Sequence, residues 1–132
     1  MNEHISMRVN SARLAGMKGK TVRLPCKVLR LSDDTAIVEA SDGGQVEIQR
    51  KNVDVTATYV EVIGSVIDAS TIKALATLPL DSEGELGMVF NRLYYLARFH
   101  SSNIDMQLVN DVIELTFEPR FDKLFPRYKE TV

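Results

Sequence analysis

The sequence predicts an all-β domain, a small barrel or sandwich of five strands, followed by a C-terminal helix. Five short segments between Thr21 and Leu80 alternate apolar and polar residues or are rich in β-branched residues, as strands are. Polar turns that contain aspartate and glycine separate several of these segments. From Ser82 onward the apolar residues recur at the three- and four-residue spacing of a helix.

The elements at the N-terminal end are a short helical turn and a long strand. Asn10 or Ser11 is expected to cap the turn, which Gly16 would end. Residues 21–31 follow as the first predicted strand, because apolar side chains occupy every second position from Val22. Pro25 has no amide hydrogen, so we expect the ladder to be open at this residue or the strand to bulge.

Four further strands are predicted over residues 35–40, 45–50, 59–68 and 71–80. Asp42, Gly43 and Gly44 predict a hairpin turn between the first two, because glycine accepts the positive φ that tight turns need. Gly64 lies inside the next strand and predicts a bend or a bulge.

A long helix is predicted after the strands. Ser82 and Glu85 have the spacing of a capping box. An apolar stripe wider than one buried face follows, as expected for a helix that covers its own barrel and also meets other helices. A helix that is buried only on its own domain is the alternative. The candidate subunit-interface residues on this helix are Leu86, Val89, Phe90, Leu93, Leu96, Ala97 and Phe99.

Residues 104–117 form a second apolar segment. Its pattern favours a helix begun by Asp105, although Met106 and Leu108 also suit a strand. Residues 118–132 are predicted to be a tail or a docking segment. The predicted organisation is therefore a barrel over residues 1–80, an assembly helix over 81–101 and an extension or tail over 102–132.

Composition narrows the function classes. The 132-residue chain is 45% hydrophobic and 26% charged, which is ordinary for one globular domain, and its net charge of −2 disfavours strong autonomous nucleic-acid binding. Residues 1–7 contain no apolar signal segment, and a single cysteine fits a cytosolic or nuclear location. No apolar run is long enough for a membrane span.

The sequence contains no set of residues typical of catalysis. Its two histidines, His4 and His100, lie far apart, and no cysteine and histidine residues have metal-ligand spacing. Cys26 falls on the apolar face of its strand, which favours core packing over nucleophilic chemistry. Gly43 and Gly44 separate two strands, unlike a phosphate-binding loop. We therefore predict no enzyme activity, no cofactor, no metal and no small-molecule substrate.

The aromatic residues are unevenly distributed. Single-stranded nucleic acid is held by rings that stack on bases, and Tyr59 is the only aromatic residue in the predicted strands. The other aromatic residues lie at Phe90 or beyond, where they suit a protein interface or a core. The candidates for a weak DNA-backbone contact are basic residues that would otherwise belong to a plain solvated surface: Arg23, Lys27, Arg50 and Lys73.

Four short motifs together resemble the family of the smallest subunit of replication protein A. Residues 8–11, Arg-Val-Asn-Ser, resemble the start of that family, and Ser41, Asp42 and Gly43 resemble its hairpin. Residues 60–66, Val-Glu-Val-Ile-Gly-Ser-Val, resemble its valine-rich strand. Residues 85–88, Glu-Leu-Gly-Met, resemble the opening of its long helix, which continues in step through Leu93, Leu96 and Phe99. The resemblance therefore covers about residues 8–99.

The resemblance implies a five-stranded OB-fold barrel and a C-terminal helix that joins a three-helix bundle. The implied partners are the middle and large subunits of a nuclear heterotrimer that coats single-stranded DNA in replication, repair and recombination. The small subunit of this family mainly supports assembly and has weak or no direct DNA contact. The alternatives are an autonomous single-stranded nucleic-acid-binding module and a telomere-capping small subunit.

Overall fold

The computed structural model describes residues 6–80 and 105–119. In chain order the elements are β1 (Met7–Arg8), a 3₁₀ helix (Ser11–Met17), β2 (Thr21–Leu31), β3 (Thr35–Ala40), β4 (Gln45–Gln49), β5 (Tyr59–Asp68), β6 (Thr71–Pro79) and α1 (Met106–Thr116). The five predicted strands are confirmed, and the short strand β1 was not predicted.

Strands β2 to β6 form a closed five-stranded barrel. The hydrogen-bonded order is β2-β3-β4-β6-β5, and β5 pairs back onto β2. All these pairs are antiparallel except β4 with β6, which is parallel. Strand β1 adds to the outside of this ring by pairing in parallel with Val22 and Arg23 of β2.

The barrel interior is filled by alternate residues of each strand, as the period of two requires. The largest of its fully buried side chains are those of Leu14, Leu24, Ile48 and Ile72. Gly64 lies at a register shift between β5 and β6, which confirms the predicted bulge. A Cβ at Gly64 would collide with the backbone carbonyl oxygen of Lys73, so the close approach of the two strands requires glycine.

Pro25 lies at an opening in the ladder, as predicted. On this edge of β2 the pairing with β1 ends at Arg23, and the pairing with β3 begins at Cys26. The carbonyl oxygen of Arg23 accepts from the amide of Val9, so the backbone of Pro25, two residues on, faces the same edge. The missing amide hydrogen of Pro25 therefore falls where no described strand would accept a bond from it. The bulge in β2 lies between Val28 and Arg30 and not at Pro25.

The 3₁₀ helix corrects the predicted cap. Asn10 occupies the N-cap position without a side-chain capping bond, and the helix runs past Gly16 to Met17. Asp42 of the β3–β4 hairpin caps the helix instead, since its carboxylate accepts from the backbone amides of Ser11 and Ala12. The sequence predicts a local cap by Asn10 or Ser11, but both side chains bond to distant elements instead.

Helix α1 confirms that the segment after residue 104 is helical and that Asp105 begins it. The carboxylate of Asp105 accepts from the amide of Leu108, 3.1 Å away. At the other end, the Phe117 amide bonds to the carbonyl oxygens of Glu114 and Leu115. Within residues 6–80 and 105–119, no helix is long and apolar enough to cross a membrane.

Candidate functional site

The contact between helix α1 and the barrel is the principal site that the structure describes. The buried side chains of Val109, Val112 and Ile113 pack with Leu80, which directly follows β6. Tyr59, at the start of β5, lies against the same cluster. We call this contact the α1 joint. The predicted interface residues Leu86, Val89, Phe90, Leu93, Leu96, Ala97 and Phe99 lie outside the described residues.

A polar network lies at the α1 joint beside the apolar cluster. The side-chain amide of Asn10 donates to the side-chain oxygen Oδ1 of Asn110 at 2.8 Å and to the Glu114 carboxylate at 2.7 Å. The hydroxyl of Ser41 donates to the same Asn110 oxygen at 3.0 Å. Asn10 is 2% exposed, and Ser41 is also buried. Two segments far apart in sequence, around Asn10 and around Ser41, therefore meet at two neighbouring turns of α1.

Glu114 is the charged member of the network. The guanidinium of Arg13 bonds to its carboxylate through both Nε and a terminal nitrogen, and it also stacks over the Phe117 ring at 4.0 Å. The bonds from Arg13 are the main cause that lowers the pKa of Glu114, and they outweigh the opposing effect of burial. Asn10 adds a further hydrogen bond that lowers the same pKa. The network therefore favours the ionised carboxylate.

Asp42 links the β3–β4 hairpin to the 3₁₀ helix. Burial by itself would raise its pKa, but hydrogen bonds from Ser11, Ala12 and Gly44 outweigh that effect and lower the pKa. The hairpin has the predicted turn, with Gly43 at φ +91°. A Cβ at Gly44 would collide with the Ser11 hydroxyl, so glycine keeps the hairpin close to the helix.

A second ion-pair cluster surrounds Glu61 on β5. Glu61 is fully buried, and its carboxylate is 2.8 Å from Arg8 Nε and 3.3 Å from an Arg23 terminal nitrogen. Arg23 also donates to the hydroxyl of Ser6 at 3.0 Å. These contacts hold the N-terminal segment, residues 6–17, against β2 and β5.

Two of the four candidate DNA-contact residues, Arg23 and Arg50, donate hydrogen bonds within the chain. Arg23 bonds to Glu61 and Ser6. Arg50 donates to the backbone carbonyl oxygens of Ser32, Thr35 and Val53, so its guanidinium ties two loops together. A guanidinium that satisfies internal acceptors in this way has fewer donors available for a phosphate.

The other two candidates, Lys27 and Lys73, lie apart on the barrel. The Lys27 ammonium is 6.0 Å from the centre of the Tyr59 ring, the only aromatic ring that the described strands carry. Lys73 is exposed on β6, where it pairs across the ladder with Ser65. The contact of these four basic residues with DNA stays a prediction.

Cys26 is fully buried in the barrel core, as its position on the apolar face predicts. Burial is the larger cause that raises the pKa of its thiol, and the nearby charge of Glu61 adds to it. The thiol is therefore inert as a nucleophile. Among residues 6–80 and 105–119, no three histidine, cysteine or acidic side chains are grouped so that they could hold a metal ion.

Sequence reasoning missed most residues of these clusters, and Glu61 and Asn10 show why. Valine flanks Glu61 on both sides, at Val60 and Val62. This apolar surrounding is the sequence signal that indicates a buried carboxylate. Asn10 was interpreted as a local cap, although its partners lie 100 and 104 positions along the chain. No sequence spacing identifies partners at that separation.

A family profile and a similar solved structure both relate the chain to replication protein A. The profile of the family described as Replication factor A protein 3 matches residues 1–121. The structure is similar to a chain of replication protein A from U. maydis, with 28% identity, a TM-score of 0.67, and coverage of 92% of this chain and 95% of that chain. This similarity confirms the OB-fold.

The chain is also similar to the telomere capping protein Ten1 from Saccharomyces pombe. The identity is 10%, the TM-score is 0.52, and the similarity covers 60% of this chain and 85% of that chain. At this identity the similarity reflects the fold alone. No curated protein matches the chain in sequence.

Proposed function

The chain belongs to the Replication factor A protein 3 family, and from that premise we propose that it is a non-catalytic structural subunit of a replication protein A heterotrimer. In this role it supports assembly with a middle and a large subunit. Through the assembled complex it contributes to single-stranded DNA binding in replication, repair and recombination. The nucleus is the expected location of such a complex.

The observation that carries this proposal is the extent of the family match. The match spans both the barrel and helix α1, and the similar chain from U. maydis belongs to replication protein A bound to single-stranded DNA. The internal partners of Arg23 and Arg50, together with the single ring of Tyr59 in the described strands, favour a supporting role over autonomous DNA binding.

The proposed assembly surface is the C-terminal part of the chain. Its first part is the predicted helix that carries Leu86, Val89, Phe90, Leu93, Leu96, Ala97 and Phe99. Its second part is the outward side of α1, where Leu115 is 39% exposed. Burial of one large apolar side chain contributes about 1.5–3 kcal/mol, so several together can hold a permanent complex.

Co-expression with the middle and large subunits, followed by affinity capture, tests the assembly surface. We expect Phe90→Glu with Leu93→Glu to lower the affinity for the partner subunits by more than about a hundredfold, because both substitutions would place a charge in the proposed apolar interface. Leu115→Glu is expected to lower that affinity by about tenfold. The barrel should stay folded in every variant.

Leu75→Glu is the matched control, since Leu75 is 59% exposed on β6 of the barrel. We expect this variant to assemble as the unaltered chain does. Normal assembly of the Phe90 and Leu93 double variant would refute the proposed surface. Tight, strongly salt-dependent binding of single-stranded DNA by the isolated chain would favour an autonomous binding module instead.

A further inference from the structure

We propose that Asn10 is a positioning residue that fixes the register of helix α1 on the barrel. This inference deepens the proposed function and rests on it, because the register decides which residues of α1 face outward toward partner subunits. Asn10 directly precedes the 3₁₀ helix, and its two acceptors, Asn110 and Glu114, lie one helical turn apart on α1.

The apolar part of the α1 joint does not define a register by itself. Its buried members are the aliphatic side chains of Val109, Val112, Ile113 and Leu80, and the partly buried rings of Tyr59 and Phe117 pack against them. Aliphatic contacts are non-directional, so a helix that slides or rotates can regain much of the same burial. A buried polar group is selective, because it is satisfied in only one arrangement and costs free energy in the others.

The geometry of Asn10 admits one arrangement. Its side-chain nitrogen carries two hydrogens, and both are used, one by the Asn110 oxygen and one by the Glu114 carboxylate. The amide cannot be reversed, because its oxygen would then face that carboxylate. Ser41 donates to the same Asn110 oxygen, so the Asn110 amide is held from the hairpin as well.

The remaining oxygen of Asn10 strengthens the inference. Asn10 is 2% exposed, and among the described residues its Oδ1 has no hydrogen-bond donor. A buried acceptor without a donor is destabilising, and an apolar residue of similar size would avoid this cost. Asparagine at this position therefore does not maximise packing stability. The same trade-off applies to the single buried asparagine that sets register in coiled coils.

The test is the nearly isosteric substitution Asn10→Asp, alone and combined with Glu114→Gln. Aspartate keeps the shape but replaces both donors with acceptors that face Asn110 and Glu114. We expect amide hydrogen exchange in α1 to accelerate by about tenfold to a hundredfold, the range for lost hydrogen bonds to a charged group. Protection of amides in β2 and β5 should stay unchanged.

Glu114→Gln supplies the compensating change, since the glutamine amide can donate to an aspartate at position 10. We expect the double variant to exchange more slowly in α1 than Asn10→Asp alone, which a space-filling role for Asn10 would not produce. Asn52→Asp is the matched control, because the same substitution then falls on an exposed loop residue. It should leave exchange in α1 unchanged.

Unchanged exchange in α1 of Asn10→Asp would overturn the proposal. Accelerated exchange throughout β2 and β5 would also overturn it, because Asn10 would then serve barrel folding.

In the complex, we expect Asn10→Asp to weaken assembly and Glu114→Gln to restore part of it. Unaltered assembly of the Asn10→Asp variant would refute the link between the register and partner binding. If the unaltered chain fails to bind the partner subunits, the proposed function fails, while the exchange measurement still tests the register.

Discussion

Two glutamates hold the N-terminal segment to the rest of the molecule, and they do so in opposite environments. The Glu61 side chain is fully buried on β5 and has two arginine partners, Arg8 and Arg23. The Glu114 side chain is 43% exposed on α1, and its charged partner Arg13 is 37% exposed. The chemical groups are the same, but the amount of water around them differs.

The comparison shows that the contribution of an ion pair to stability depends on how deeply its charged groups are buried. A buried carboxylate that loses its cations keeps the full penalty of desolvation, whereas an exposed carboxylate is rehydrated. We therefore expect the Glu61 cluster to determine whether the N-terminal segment stays on the barrel. The exposed Arg13–Glu114 ion pair should contribute little energy, whereas the bond from buried Asn10 to Glu114 gives directional specificity.

The largest expected effect is the loss of both arginines around Glu61. We expect Arg8→Ala combined with Arg23→Ala to lower the free energy of unfolding by about 3–5 kcal/mol, because a buried carboxylate is left without a cation. Each single substitution should cost less than half of this, since the other arginine remains. Urea denaturation measures all three variants.

The matched control combines Lys51→Ala with Lys73→Ala, which removes the same charge from two exposed positions. It should change the free energy of unfolding by less than about 1 kcal/mol. If the losses of the two single arginine variants add up to the loss of the double variant, neither arginine compensates for the absence of the other. That result would contradict the role assigned to the burial of Glu61.

An intermediate effect is expected for Asp42→Asn. The variant weakens the cap of the 3₁₀ helix, and we expect the free energy of unfolding to fall by about 0.5–2 kcal/mol at neutral pH. Asp54→Asn is a suitable control, since Asp54 is an exposed aspartate in the loop after β4. Equal stability of the two variants would contradict the capping role of Asp42.

The pH dependence of this effect follows from the lowered pKa of Asp42. The folded-state pKa lies below the ordinary value of 3.8, so the folded protein favours the ionised carboxylate. Its contribution to stability is fully present above the ordinary pKa and is lost as the pH falls through the folded-state pKa. The stability difference between the unaltered chain and Asp42→Asn should therefore shrink on acidification over that interval.

The smallest expected effect is that of Arg13→Gln at the exposed cluster. We expect a loss of about 1 kcal/mol or less at low salt, because both charged groups are partly hydrated. Higher salt should reduce the loss further. Urea denaturation at two salt concentrations measures it, and a loss equal to that of the double arginine variant would contradict the role assigned to burial.

The strands were predictable because their information is local. The alternation from Val22 onward and the β-branched run of β5 place side chains on two faces without reference to any other segment. Asp105 was predictable for the same reason, since a cap bonds to an amide three residues away. Strand β1 escaped prediction, because two residues are too few to show a period.

The sequence by itself determined the five strands, the hairpin at Gly43 and the start of α1, because each depends on neighbours within a few positions. Only the tertiary structure decided that Glu61 is buried beside two arginines, that Asp42 caps a helix about 30 positions earlier, and that Asn10 meets Asn110. These contacts arise where barrel closure brings distant segments together, and local periodicity contains no information about which residues meet there.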